Sequence, residues 1–384
     1  MSTLLFHEPG RYILEVVLAY SHVQPMEDFP LANPNSTEPL FEGYLISGAP
    51  SVLEVRGAQP EPPKYQRAQC QFHYLFETST TSALENHKWT VASKTNDKSQ
   101  ANLSRKSDNF TFEEYKWGPS SIGFQMQYHH RLCHLKSMTE LEREIYSLPQ
   151  KWVETAHLVM IGDSQIFGQN KMMSRTFSRK LRTTLIKTHD GLTIRLPQIR
   201  ETLHRLSNEA VEGERFYVMF NAGLHEIARM CSSLHHSSRS RLIRVPDQHY
   251  SCIHEYKTNL NQLVELVLDF PAKLRIYQDT SAGWLRWGNY GFAWPPDSPQ
   301  LYPLDFHACL KFNQVAWNIL QAKSIPVMDT YWLSLSRPDH REIDILNSRG
   351  KKIVHLGVEL YDVLLRKFLS AILLVDKSFS EKGN

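Results

Sequence analysis

An α/β fold is predicted for the larger, second part of this 384-residue chain, and a β-rich first part before it. From about Trp152, short apolar runs recur at Leu158–Ile161, Phe216–Phe220, Leu274–Tyr277 and Pro326–Met328, as buried parallel strands require. Helical patterns over about 171–187, 255–269 and 305–323 separate them, and that alternation argues a parallel sheet with helices on both faces. Residues 1 to about 150 carry short strand-like runs between turn clusters, which suggests an immunoglobulin-like β-sandwich. The expected division is a sandwich over 1–150 and an α/β domain over 151–384.

Taken in order, Arg11–Leu18 reads as the first strand, followed by a Pro/Asn/Glu-rich loop to about Leu40. Because it begins right after Pro9-Gly10, the sequence reads as starting inside a domain, without the basic and apolar regions of a signal peptide. Strand-like runs follow at Tyr44–Ile46, Ser51–Val55, Gln71–Phe76, Lys88–Ala92 and Ile122–Tyr128. Ser93–Asn109 is polar and reads as an exposed loop, holding two Asn-X-Ser/Thr triplets, at Asn102 and Asn109, with a third at Asn35. His129, His130, Cys133 and His134 invite a metal reading, but their spacing fits no closed tetrahedral site, so a histidine-rich strand end without metal is expected.

In the second part, Arg175, Arg179, Lys180 and Arg182 read as the solvated face of the helix after Ser164. The closing segment Val358–Val375 sets Tyr361, Leu364, Leu365, Phe368 and Ile372 on one face, with Glu359, Asp362, Arg366 and Lys367 mostly away from it. That pattern is an amphipathic helix docked on the sheet.

Composition excludes some classes of function. A net charge of +3 leaves no nucleic-acid footprint, and no apolar run approaches the roughly 18–20 residues of a membrane span. Five cysteines without CxxC spacing do not look like a zinc site; one or two disulfides plus an odd thiol would suit a secretory lumen, and five buried free thiols are the alternative. No nucleotide-binding glycine fingerprint is present, so no cofactor is expected.

Three segments should converge at the carboxyl edge of the sheet. They are Gly162-Asp163-Ser164, then Asn221-Ala222-Gly223-Leu224-His225-Glu226, then Val354-His355-Leu356-Gly357. A serine, an asparagine beside a glycine and a histidine are the parts that acyl transfer needs: Ser164 attacks an ester carbonyl and His355 takes its proton. The Asn221 amide, with backbone N–H groups near Ser164 and at Gly168, would hold the oxyanion. His340 competes with His355 as base, in a turn context. Asp163 reads as a brace of the serine loop, and His225 as a polar residue at a strand end that contacts substrate. Trp284, Trp287, Tyr290, Phe292 and Trp294 lie among glycines, either stacking on sugar rings or packing into the core. Asp279-Thr280 follows the third strand, where a substrate-side polar group could sit.

Gly162-Asp163-Ser164, Asn221-x-Gly223-x-His225 and a late histidine before a terminal helix resemble the SGNH/GDSL hydrolase superfamily over roughly residues 155–376. The branch they look most like is the PC-esterases, which include secretory glycan O-acetyltransferases and esterases. A preceding sandwich is similar to the architecture of neurexophilin-and-PC-esterase proteins. The resemblance implies an O-acyl esterase or O-acetyltransferase that acts on a glycan or glycoprotein in the Golgi lumen or outside the cell, with an acyl donor where it transfers. One departure stands out: the family's Asp-x-x-His would put an aspartate where Lys352 stands, and lysine cannot accept the Nδ1–H bond of His355. Asp339 or Asp344 substitutes, or a backbone carbonyl orients a Ser–His dyad, or the fold is catalytically degenerate and binds glycan or protein.

Overall fold

The computed structural model describes residues 10–14, 17–20, 41–45, 51–56, 68–76, 87–91, 126–130, 133–177, 181–230, 252–282, 306–335, 356 and 358–380. In the first part these give β1 (Gly10–Leu14), β2 (Val17–Tyr20), β3 (Phe41–Leu45), β4 (Ser51–Val55), α1 (Phe72–Leu75), β5 (His87–Val91) and β6 (Met126–His130). β1 pairs antiparallel with β4, β2 with β3, and β5 with β6, as three separate two-stranded ladders. A sandwich is not established by these ladders. Two expectations are corrected: the first strand is two, and Gln71–Phe76 is a helical turn. There Tyr74 N–H donates to Gln71 O at 3.1 Å and the chain buries Leu75 and Phe76 together, which alternation across a sheet could not do.

The second part runs α2 (Met138–Ser147), α3 (Gln150–Thr155), β7 (Ala156–Gly162), α4 (Ser164–Thr176), β8 (Arg182–Lys187), α5 (Leu192–Asn208), β9 (Arg215–Phe220) and α6 (Leu224–Met230). It continues with α7 (Cys252–Asp269), β10 (Ala272–Gln278), α8 (Phe306–Ala322), β11 (Val327–Met328), α9 (Tyr331–Leu335) and α10 (Val358–Ser380). The five strands form one parallel sheet in the order β11-β10-β9-β7-β8, the α/β arrangement expected. The helical pattern expected over 171–187 is wrong at its end. Arg182–Lys187 is the edge strand, so Arg182 belongs to β8 and not to a basic helix face.

Alternation splits each strand between two cores. Val159, Ile161, Val218 and Phe220 face α5, α7 and α8, while Leu158, Met160, Tyr217 and Met219 face α4, α10 and α2. The second core also takes in Cys70, Leu75, Phe76, Tyr128, Leu135, Leu141 and Ile145, so packing runs across residue 150. A disulfide joins Cys70 to Cys133, and Arg366 of α10 donates to the carbonyls of Lys136 at 2.6 Å and Leu135 at 2.9 Å. α10 is consequently buried on more than one face; even Lys367 is 2% exposed, where the sequence pattern placed it away from the core. Among the described residues no helix is long and apolar enough to cross a membrane.

Candidate functional site

β7 lies between β8 and β9, and the chain leaves β7 toward β8 before crossing back to β9. The switch point of the sheet, where open α/β sheets place their ligand crevice, thus lies at the carboxyl ends of β7 and β9. The Asp163-Ser164 and Asn221–Gly223 segments both emerge there.

Side chain and backbone lock these two segments together. Asp163 N–H donates to Asn221 Oδ1 at 3.0 Å, and Asn221 Nδ2 donates back to Asp163 Oδ1 at 3.0 Å. The same carboxylate oxygen caps α4 by accepting Gln165 N–H at 2.9 Å. Gly162 makes the clasp fit: a Cβ there would stand 2.0 Å from Asn221 Oδ1. Asp163 and Asn221 are buried, and among the described residues Asp163 Oδ2 accepts no hydrogen bond.

Ser164 is the first residue of α4 and is half-buried, while its neighbours Asp163 and Gln165 are buried. Its hydroxyl takes none of the clasp's bonds. The helix start supplies N–H groups and the positive end of the helix dipole, and the Asn221 amide has one hydrogen left after serving Asp163. Those are the elements an oxyanion site needs.

Glu226 was missed in the sequence, and it organises the second segment. It is 2% exposed and accepts Gly223 N–H at 2.7 Å and Leu192 N–H at 2.8 Å, tying the loop to the start of α5. Burial raises its pKa, and the N–H donors from Leu192 and Gly223 counter that only in part. Gly223, expected among the oxyanion and binding residues, thus has its N–H committed to Glu226. Its φ of 150° and the Thr280 Oγ1 atom 2.0 Å from where its Cβ would stand show why a glycine is needed. Three hydroxyls, of Tyr277 (2.6 Å), Tyr256 (3.2 Å) and Thr280 (3.2 Å), converge on the Ala222 carbonyl and hold the loop still.

Gly168 is also corrected. The Phe167 N–H to Asp163 O bond (3.0 Å) begins the α4 ladder, so the Gly168 N–H is spent inside the helix. Its missing side chain admits the ring of Tyr361 from α10, 2.4 Å from where a Cβ would stand. His225 is half-buried at the start of α6, its ring 5.5 Å from that of His189. Asp279 is braced rather than open: Oδ1 accepts the N–H groups of Thr330 (2.5 Å) and Tyr331 (3.0 Å), and Oδ2 that of Trp317 Nε1 (3.2 Å). Burial, then the adjacent Asp329, push its pKa up.

A buried amide chain under the site was also missed. Gln169 Nε2 donates to Gln278 Oε1, Gln278 Nε2 to Gln165 Oε1 at 3.5 Å, and Gln165 Nε2 to Ser281 Oγ. Two glutamines four apart in a helix share a face, and that was its signal. His355, Gly357, Asp339, Asp344, His340 and the aromatic run 284–294 lie outside the described residues.

No protein-family model and no curated protein matches this chain. Among solved structures it is similar to a protein provisionally described as a platelet activating factor from Streptococcus pneumonia, at 12% identity and a TM-score of 0.34, covering 62% of this chain and 92% of that one. It is likewise similar to the C-terminal catalytic domain of Streptococcus pneumoniae peptidoglycan O-acetyltransferase A, carrying a methylsulfonyl adduct. There the identity is 12% and the TM-score 0.32, with 59% of this chain and 96% of that one covered. Likeness at this level carries no argument about activity or substrate.

Proposed function

We propose that the protein is a serine-dependent O-acyl esterase or O-acetyltransferase of the PC-esterase kind, acting on a glycan or glycoprotein in the secretory pathway. The observation that carries this reading is the Ser164 hydroxyl, outside every bond of the clasp, at a helix start in the switch-point crevice. The Cys70–Cys133 disulfide supports the oxidising compartment.

In this reading Ser164 Oγ attacks the acyl carbonyl and its proton passes to His355. The tetrahedral oxyanion is met by the remaining Asn221 amide hydrogen and the Ser164 N–H. Collapse expels the alcohol, which takes the proton from His355. Water then releases the acid, or a sugar hydroxyl accepts the acyl group.

Hydrolysis of an aryl acetate by the purified protein tests this. The Ser164→Ala variant should lose at least about a thousandfold in kcat, and His355→Ala a comparable factor. Equal background rates for wild type and Ser164→Ala would sink the acyl-serine step and leave a degenerate fold that binds glycan or protein.

A further inference from the structure

Cys70, His130 and Cys133 meet where the residues before α1, the end of β6 and the segment leading to α2 come together. All three are buried, and their ligand atoms lie within 4.8 Å of one another. Cys70 and Cys133 are disulfide-bonded, and His130 Nδ1 stands 3.2 Å from Cys133 Sγ. A disulfide has no need of an imidazole at its sulfur. The backbone of the joint is held independently: Cys70 N–H donates to His134 O at 3.1 Å and His134 N–H to Ala68 O at 2.7 Å. Breaking the S–S bond therefore leaves two thiols and a ring nitrogen already gathered at one point.

We propose that this trio is a metal site when reduced: two thiolates and an imidazole for a thiophilic divalent cation of the Zn2+ type. Tetrahedral ligation, with bonds of about 2.3 Å to sulfur and about 2.0 Å to nitrogen, sets N and S roughly 3.5 Å apart. The present 3.2 Å is within a few tenths of that. The sulfurs must part, and the backbone bonds allow that with the segments in place. Two thiolates neutralise the cation, so no net charge is buried, and the fourth position stays open to water.

The chemistry balances with a dithiol as reductant. Its two thiols close to a disulfide while Cys70 and Cys133 each gain an electron and a proton. The cation then displaces both thiol protons to solvent, and His130 ligates through Nδ1 with its proton on Nε2. Disulfide and metal are exclusive states of one joint. Each straps the segment bearing α1 to the core that α10 occupies, the first in oxidising surroundings and the second in reducing ones.

The test uses the full chain, reduced with a phosphine, freed of reductant under argon and titrated with Co2+ and then Zn2+. One equivalent of Co2+ should give a thiolate-to-cobalt charge-transfer band that Zn2+ erases and that oxidised protein lacks. Cys70→Ser and Cys133→Ser should abolish the band, and His130→Ala should weaken binding more than about tenfold. Because a serine variant can fail by misfolding, alkylation of the wild-type protein is followed cysteine by cysteine. Zn2+ should slow modification of Cys70 and Cys133 about tenfold or more, with a chelator restoring the rate. No band in the reduced protein, a band that survives both serine variants, or alkylation indifferent to Zn2+ would overturn the site and leave a structural disulfide only.

Discussion

The amino and carboxyl edges of the central sheet carry opposite kinds of polar cluster. At the amino edge Thr184 Oγ1 lies 2.8 Å from His157 Nε2, and His157 Nδ1 lies 2.7 Å from Glu214 Oε1. Arg182 donates to the same carboxylate oxygen at 2.8 Å, and Val211 N–H to the other at 3.0 Å. Hydroxyl, imidazole and carboxylate are bonded in the order a hydrolase uses, yet among the described residues no helix start or free amide is bonded into that cluster. Thr184 sits within an edge strand, two residues from its amino end and away from the carboxyl edge. The carboxyl edge reverses this, with a helix start and, among the described residues, an amide hydrogen and a serine hydroxyl outside the clasp's bonds. Bond completeness marks the cluster that holds the fold; the proposed reading gives the chemistry to the other.

Gly162→Ala should break that contrast most strongly. The added methyl displaces the Asn221 amide, and aryl acetate turnover should fall about 100- to 1,000-fold, the range for a lost oxyanion donor. Thr184→Val removes the amino-edge hydroxyl and should leave kcat/KM unchanged while costing about 1 kcal/mol in urea melts. The opposite outcome, activity lost with Thr184 and kept with Gly162→Ala, would exchange the roles of the two edges.

Next in size is His157→Leu, which strips a hydrogen bond from a buried carboxylate and should cost about 2 kcal/mol in the same melts with turnover unaffected. Acidity sharpens the comparison because the two edges respond with opposite sign. Burial lowers the His157 pKa, and the bond to Glu214 only partly restores it. The stability tied to His157 is thus full above about pH 6.5 and lost as pH falls through the lowered folded value. Glu226 has a raised pKa, so its contribution is full below about pH 4.5 and lost as pH rises through the folded value. Melting temperatures across this range, for wild type beside His157→Leu and Glu226→Gln, should show one slope flatten in each variant. Parallel curves would mean neither group is held as described.

The same contrast explains what the sequence could convey. β7, β9 and β10 are buried in the middle of the sheet and read as apolar runs, and the serine and asparagine segments follow from their ends. β8 was hidden because an edge strand keeps half its side chains wet, and Arg182 and Lys187 at its ends mimic a basic helix face. Pro197, in the second turn of α5, masked that helix, because a proline there removes one bond of the ladder. Glu226 left no trace, since one acid in a short helix looks solvated until two distant N–H groups are brought to it. Gly168 was expected to lend an N–H and Gly223 to belong to the oxyanion and binding residues, without their packing roles being seen. Both are there for close approach, by Tyr361 and Thr280, and such contacts become visible only once the chain has folded.

A comparably small effect, no larger than that of Thr184→Val, belongs to a polar cluster at neither edge. Ser137 and Glu140 form a capping box at the start of α2, Ser137 N–H donating to Glu140 Oε2 at 2.6 Å and Glu140 N–H to Ser137 Oγ at 3.3 Å. The Ser137 backbone N–H, then its hydroxyl, draw the Glu140 pKa down to about 2. Its stabilisation is present above about pH 4.5 and fades as pH falls toward 2. Glu140 is 43% exposed, so solvent screens the box, and Ser137→Ala should cost only about 1 kcal/mol at neutral pH and less in acid. Urea melts at pH 7 and pH 3 check both values. A loss as large as that of His157→Leu would mean that α2, packed on α10, bears on the core as heavily as the sheet's own buried cluster does.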